Sequence, residues 1–292
     1  MPVKSPNHSE PSKKLGLIAG MGDLPKAVAS EAKRMGYKVT AIALQPPADE
    51  SLKPIADEFH KISLGRFGGL IALLKKLAIT DVVLAGKVPK DLLYKSKNHI
   101  IPDMKAVKVL LSLRNRADDT IMKAVVREIE GLGIKIHNTT DFTKDLLVPE
   151  GILTRKKPTK KELQDIEFGW NIAKKIGQLD IGQTVVVKDM AVMAVEAIEG
   201  TDEAIKRGGD LSKKDAVVIK VSKPNQDMRF DVPVAGIDTL HIMKKTGARV
   251  LVLEAGRCII VDIKNFVNKA NEYGIVVAGT SNNNLAMEQS NN

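Results

Sequence analysis

From Lys14 to Asp141 the chain alternates short apolar runs with longer amphipathic stretches, and few folds accommodate that pattern. LGLIAG (15–20), YKVTAIAL (37–44), EFHKISL (58–64), DVVLAG (81–86) and IKIHNTT (134–140) read as strands. Between them LPKAVASEAKRMG (24–36), FGGLIALLKKLAI (67–79), MKAVKVLLSLR (104–114) and DDTIMKAVVREIEGLG (118–133) read as helices. Strand and helix in turn predict a parallel sheet covered on both faces. The expected fold class is therefore α/β, with a doubly wound domain over residues 14–141.

The remainder is less regular. Residues 1–13 are polar and rich in Pro and Ser, which predicts a disordered tail holding His8. Residues 142–162 contain two prolines and a basic cluster and read as an interdomain linker. A second domain is expected over 163–280. Its helices are placed at 163–178, with Trp170 on the apolar side, at 199–209 with Thr201 as N-cap, at 236–247 and at 264–274. A hairpin spans 184–197 about Lys188–Asp189, and a second spans 249–262 about Ala255–Gly256. Strands are expected at 216–222 and 275–279. This mixture predicts an α+β C-terminal domain, followed by a flexible tail over 281–292.

Length agrees with two domains, since a single core rarely grows to 292 residues. No apolar run approaches the ~18 residues of a membrane span, and no basic-then-apolar leader is present, so the protein is expected in the cytoplasm. The single cysteine, Cys258, lies in an apolar run and reads as a small buried hydrophobe; it excludes an internal disulfide and a multi-cysteine metal site. A formal charge of +10 favours anionic partners. Aromatic residues make up only 3%, leaving few platforms for stacked bases, so no nucleic-acid partner is expected.

The densest chemistry lies in SKPNQDMRFDVP (222–233), which places Lys223, Gln226, Asp227, Arg229 and Asp231 between two apolar strands. Cations here could clamp phosphate oxygens while a carboxylate holds a divalent metal or activates water. A solvated charged loop is the plain alternative. Two further places suit an anion. Gly20-Met21-Gly22-Asp23-Leu24-Pro25 follows the first strand and opens the first helix, where amides and the helix field favour a phosphate. Pro25 replaces the third small residue of a dinucleotide fingerprint, and Leu44 and Gln45 stand where it needs an acid, which speaks against NAD or FAD. Gly86 and Lys87 end the fourth strand, where an open parallel sheet binds ligands. Asp118 and Asp119 read as helix caps. Glu196, Thr201, Asp202 and Glu254 are further candidates for substrate or Mg²⁺ contacts, because Mg²⁺ needs only one or two carboxylates plus phosphates. His60, His99, His137 and His241 have no metal-ligand spacing, and His241 is expected to pack on its helix. Met190 and Met193 could line an apolar groove, although ordinary core suits them better.

LGLIAGMGDLP, LDIGQTVVV with VEAIEGTDEAI, and SKPNQDMRFDVPVAGIDT followed by VLEAGR resemble the UDP-2,3-diacylglucosamine pyrophosphatases of the LpxI type, from about Leu15 to Gly279 and in the family's order. The resemblance implies hydrolysis of the diphosphate of UDP-2,3-diacylglucosamine to UMP and 2,3-diacylglucosamine 1-phosphate in lipid A biosynthesis. It implies a Rossmann-like N-terminal domain, a distinct C-terminal domain, substrate bound between them, and dependence on Mg²⁺ or Mn²⁺. It makes Asp231, in Arg229-Phe230-Asp231-Val232-Pro233, the essential acid. Lys223 and Arg229 would then be its phosphate partners, and Asp231 and Glu254 the metal candidates. A homodimer and peripheral contact with the anionic inner membrane are also implied. The chain departs from the family where Met21 and Asp23 replace two glycines of the first loop, and where Lys87 replaces an asparagine. Two other readings compete: a nucleotide-dependent oxidoreductase, and a non-catalytic regulator that binds anionic lipid or nucleotide.

Overall fold

A computed structural model of the chain describes residues 13–46, 48, 50–88, 101–113 and 118–281, the side chains of Asp118 and Asp119 excepted. Of the expected tails over 1–13 and 281–292, residues 1–12 and 282–292 lie outside the described residues, as do His8, His99 and the side chains of the expected caps Asp118 and Asp119. The chain divides into two compact units, Met1–Phe142 and Thr143–Asn292.

In the first unit, strands β1 (Lys14–Ala19), β2 (Lys38–Gln45), β3 (Glu58–Ser63), β4 (Asp81–Ala85) and β5 (Lys135–His137) form one sheet in the order β3-β2-β1-β4-β5. Every pairing is parallel. Helices α1 (Leu24–Arg34), α2 (Phe67–Lys76), α3 (Met104–Leu111) and α4 (Asp118–Glu130) connect them. β1, β2 and β4 are buried along nearly their whole length, as strands covered on both faces must be. The order reverses between β1 and β4, so their carboxyl ends flank the crevice where open α/β sheets take ligands. Local signals set the helix starts: Pro25 sits in the first turn of α1, and the Asp103 carboxylate accepts from the Ala106 amide to cap α3.

The second unit holds a mixed six-stranded sheet. Its strands are β6 (Gly151–Ile152), β7 (Thr184–Lys188), β8 (Ala191–Val195), β9 (Val217–Lys220), β11 (Val250–Glu254) and β13 (Val276–Thr280), ordered β6-β13-β11-β9-β7-β8. The central three strands run parallel, and β6, β7 and β8 add antiparallel pairings. Side-chain alternation divides the core into two layers. Val217 and Ile219 pack with Ile166, Trp170 and Ala173 of α5 (Lys160–Gln178). Val218 and Leu251 face the other way, toward Ile205 of α6 (Thr201–Ser212), Leu240 and Met243 of α7 (Ile237–Thr246), and Phe266 of α8 (Ile263–Tyr273). Full burial of each such aliphatic side chain stabilises the unit by about 1.5–3 kcal/mol.

Two expectations are corrected here. Residues 142–162 are no linker beyond Phe142. Val148 is buried in the second core and exchanges backbone hydrogen bonds with the turn after β11, β6 pairs with β13, and the Thr154 hydroxyl accepts from the Val277 amide. A Thr159/Glu162 capping box starts α5 three residues before the expected point. Prolines and lysines mask the apolar residues that anchor this strap. The second hairpin also does not form, because both edges of β11 are already occupied by β9 and β13. Instead β12 (Ile259–Ile260) pairs in parallel with β10 (Val234–Ala235). Cys258 is buried as expected, and burial pushes its thiol up to about 12.

Candidate active site

The first unit's candidate loops meet at the β1/β4 switch point. The Gly20 amide donates to Ala85 O, Met21 N to Lys87 O, and Lys87 N returns to Met21 O, each at 2.9 Å. This close approach requires glycine: a Cβ on Gly20 would lie 2.6 Å from Lys87 O, and one on Gly86 would lie 2.8 Å from both Met21 O and Pro25 Cγ. Gly22 and Gly86 also have φ of +98° and +93°. The amides of Gly20 and Met21 are therefore spent inside the bridge. Among the described residues, those of Gly22 and Asp23 have no backbone partner and remain at the amino end of α1. The Asp23 carboxylate pairs with Lys26 at 2.9 Å.

In the second unit a line of hydrogen bonds crosses the carboxyl ends of β9 and β11. Lys174 of α5 donates to Glu254 Oε2 at 2.5 Å and to Ser222 O at 3.1 Å. The same Glu254 oxygen accepts the Ser222 amide at 2.7 Å. Ser222 Oγ donates to Gln226 Oε1 at 3.1 Å, and Gln226 Nε2 donates to Asp231 Oδ2 at 2.6 Å. Lys223 Nζ sits 3.8 Å from Asp231 Oδ2 and 2.6 Å from Asp180 Oδ1. The Asp231 side chain is 35% exposed, so a ligand could reach it.

The two aspartates of this loop are placed in different roles. Asp227 accepts Arg229 Nε at 2.9 Å and Nη2 at 2.7 Å, a two-pronged fork that holds both side chains against the loop. Its backbone carbonyl accepts the Asp231 amide at 3.0 Å, making one turn of chain beneath Asp231. Arg229 was expected to act on phosphate, and here its guanidinium is directed at Asp227.

Glu196 and Thr201 meet beside this line. Thr201 Oγ1 donates to Glu196 Oε1 at 3.0 Å and accepts from Lys220 Nζ at 3.1 Å. Thr201 is therefore not the cap of α6; Gly200 occupies that position, and the Thr201 hydroxyl faces the sheet. Asp202 instead accepts from Thr239 Oγ1 at 3.2 Å. Glu254 ends a central strand rather than sitting at a hairpin turn. Met190 lies exposed in the β7–β8 turn, Met193 packs against the core, and His241 is half exposed with its ring 5.7 Å from that of Tyr273.

Four participants escape the sequence reading: Lys174, Asp180, Lys220 and Ser222. Lys220 left a signal, as one cation closing an otherwise apolar strand. Lys174 shares the helical face of Trp170 and lies over its ring at 5.7 Å. Asp180 carries nothing distinctive until the fold brings it to Lys223.

Among the described residues no three of His, Cys, Asp and Glu gather as a ligand set. Mg²⁺ can bind through one carboxylate with substrate phosphates, and the half-exposed Asp231 fits that use. Glu254 fits poorly, since an ammonium and an amide already occupy one of its oxygens.

Residues 14–146 match the family profile described as the LpxI N-terminal domain, and residues 149–278 match that of the LpxI C-terminal domain. The UDP-2,3-diacylglucosamine pyrophosphatase LpxI of Caulobacter vibrioides is 34% identical over 280 residues, covering 91% of this chain and 97% of that protein. The bifunctional purine biosynthesis protein PurH of Trichormus variabilis is 26% identical over 206 residues, 66% of this chain and 38% of PurH. The solved ADP complex of purK, an N5-carboxyaminoimidazole ribonucleotide synthetase, aligns with a TM-score of 0.22 at 18% identity, over 65% of this chain and 40% of that one.

Proposed function

The chain belongs to the LpxI family, and from that premise we propose that it hydrolyses the diphosphate of UDP-2,3-diacylglucosamine to UMP and 2,3-diacylglucosamine 1-phosphate. The observation that carries the reading is the setting of Asp231. It stands half exposed at the carboxyl edge of the second sheet, between the Gln226 amide and the Lys223 ammonium, while neighbouring Asp227 is forked onto Arg229.

In this reading Asp231 orients the attacking water and takes its proton. The water oxygen bonds to one phosphorus as the bridging P–O bond breaks, and the bridging oxygen leaves with the other half. Lys223 lies beside the charge that accumulates on the phosphoryl oxygens and neutralises it. The Asp227 fork turns Arg229 into a rigid cation on the same loop. Glu254 and Lys174 hold Ser222, where the loop begins, and Gln226 carries that order to Asp231. Mg²⁺ or Mn²⁺ would be held by Asp231 with diphosphate oxygens, and would supply charge neutralisation and a more acidic water. Within the first unit, the Gly22–Asp23 amides at the start of α1 would suit an anionic group. The formal charge of +10 suits work at the anionic inner-membrane surface, and the family resemblance suggests a homodimer.

The test is release of UMP from UDP-2,3-diacylglucosamine with Mg²⁺ or Mn²⁺, by wild type and by Asp231→Ala. Wild type is expected to turn over, and the variant to lose roughly 10³-fold in kcat while remaining folded, in line with removal of an acid–base group. Near-wild-type turnover by Asp231→Ala would remove the mechanism.

A further inference from the structure

Lys220 ends β9, and the loop that carries Asp231 leaves from it and returns to the sheet region at Val234, the first residue of β10. Its neighbours Val218 and Ile219 fill the two core layers with plain aliphatic side chains. Lys220 is almost as deeply placed, at 6% exposure, although nothing in the sheet's packing calls for an ammonium there. Its Nζ donates to Val234 O at 2.8 Å and to Thr201 Oγ1 at 3.1 Å. The Thr201 hydroxyl passes the polarity on to the buried Glu196 carboxylate at 3.0 Å, and Glu196 also accepts the Gln183 amide at 3.4 Å. A buried cation is thus compensated through one hydroxyl, with its own bonds directed at the far end of the loop and at the start of α6.

We infer that Lys220 is a positioning residue: it clamps the base of loop 221–233 and so fixes the Asp231 carboxylate between Gln226 and Lys223. One side chain ties the loop's departure to its return, and Asp231 lies three residues before the clamped carbonyl. Thr201 and Glu196 hold the ammonium in place, which gives these two residues their part in the site. The inference rests on the reading of Asp231 given above.

Lys220→Met keeps the unbranched stem and removes the charge and its donors. The amides of Phe230 and Asp231 bond to Asp227 O at 3.2 and 3.0 Å, and their hydrogen exchange reports the loop directly. In Lys220→Met they are expected to exchange at least about tenfold faster, while amides of α5 and β11 keep their protection. With UDP-2,3-diacylglucosamine, kcat should fall about a hundredfold, the cost of a misplaced reacting group. KM should stay within about threefold, because no substrate contact is removed. Thr201→Val should show the same pattern more weakly, and Thr201→Ser should restore it.

Unchanged loop exchange overturns the clamp. So does a rise in KM with kcat intact, which would make Lys220 a substrate contact, and so does a loss of protection spread evenly over the unit. If Lys220→Met does not fold, the Thr201→Val and Thr201→Ser pair decides by the same readouts. Exchange is measured without substrate, so a wild type that releases no UMP would remove the functional reading and leave the clamp standing.

Discussion

The carboxyl ends of the two sheets are built from different materials. In the first unit the edge is backbone: Gly20 and Gly86 let two loops approach until Met21 and Lys87 exchange amide–carbonyl bonds. In the second unit it is side chain: Lys174, Glu254, Ser222, Gln226, Asp231 and Lys223 join end to end. A backbone edge tolerates changes of side chain and resists any change at its glycines. A side-chain edge behaves in the opposite way, since each member leaves a partner unsatisfied when removed.

The comparison can be broken by measurement, because the only tryptophan, Trp170, is buried in the second unit and its fluorescence reports that unit. The largest effect is expected from Glu254→Ala, which removes the carboxylate beside Lys174 and leaves the Ser222 amide without its acceptor. Urea unfolding followed by fluorescence should lose about 3 kcal/mol. Gly86→Ala comes next, at about 2 kcal/mol, from crowding and the left-handed backbone. That loss should appear in circular dichroism and leave the fluorescence midpoint in place. Equal shifts in both signals would show that the two units unfold as one, and the contrast would dissolve. Lys87→Ala should cost under about 0.5 kcal/mol, because Lys87 serves the bridge through its backbone.

The smallest effect concerns acid. A hydrogen bond from Lys33 at 2.9 Å, joined by one from the Val39 amide at 2.8 Å, holds the Asp57 carboxyl below its ordinary value of 3.8. A carboxyl with a lowered folded value stabilises fully above the unfolded value and loses that stabilisation as pH falls through the folded one. The first unit should therefore weaken slightly as pH falls below about 4, and Asp57→Asn should flatten that decline. An unchanged pH slope in Asp57→Asn would assign the acid sensitivity elsewhere.

Periodicity carries the first unit well, because the signals for β1, α1 and β4 are local and the glycines announce where the loops must crowd. The second unit is harder to read. Lys174 and Glu254 are 80 residues apart, and Lys223 and Asp180 are 43 apart, so no local pattern joins them. The strap before α5 was hidden by Pro149 and Pro158, whose composition imitates a linker. The hairpin expected after Glu254 failed for a reason visible only in the assembled sheet, where β11 has no edge left. Asp231 was singled out over Asp227 by family resemblance alone. The fork onto Arg229 now gives a physical reason for the distinction.

The outermost strands of the second sheet have a consequence for the chain's behaviour at high concentration. β6 is two residues long, and β8 is irregular, its register against β7 slipping between Val186 and Val187. Neither is a good template for adding a foreign strand, since one is too short and the other is locally bent. The apolar runs of β9, β11 and β13 are the ones that would seed fibrils, and they are buried along their whole length. Aggregation of this unit should therefore have to wait for its sheet to open.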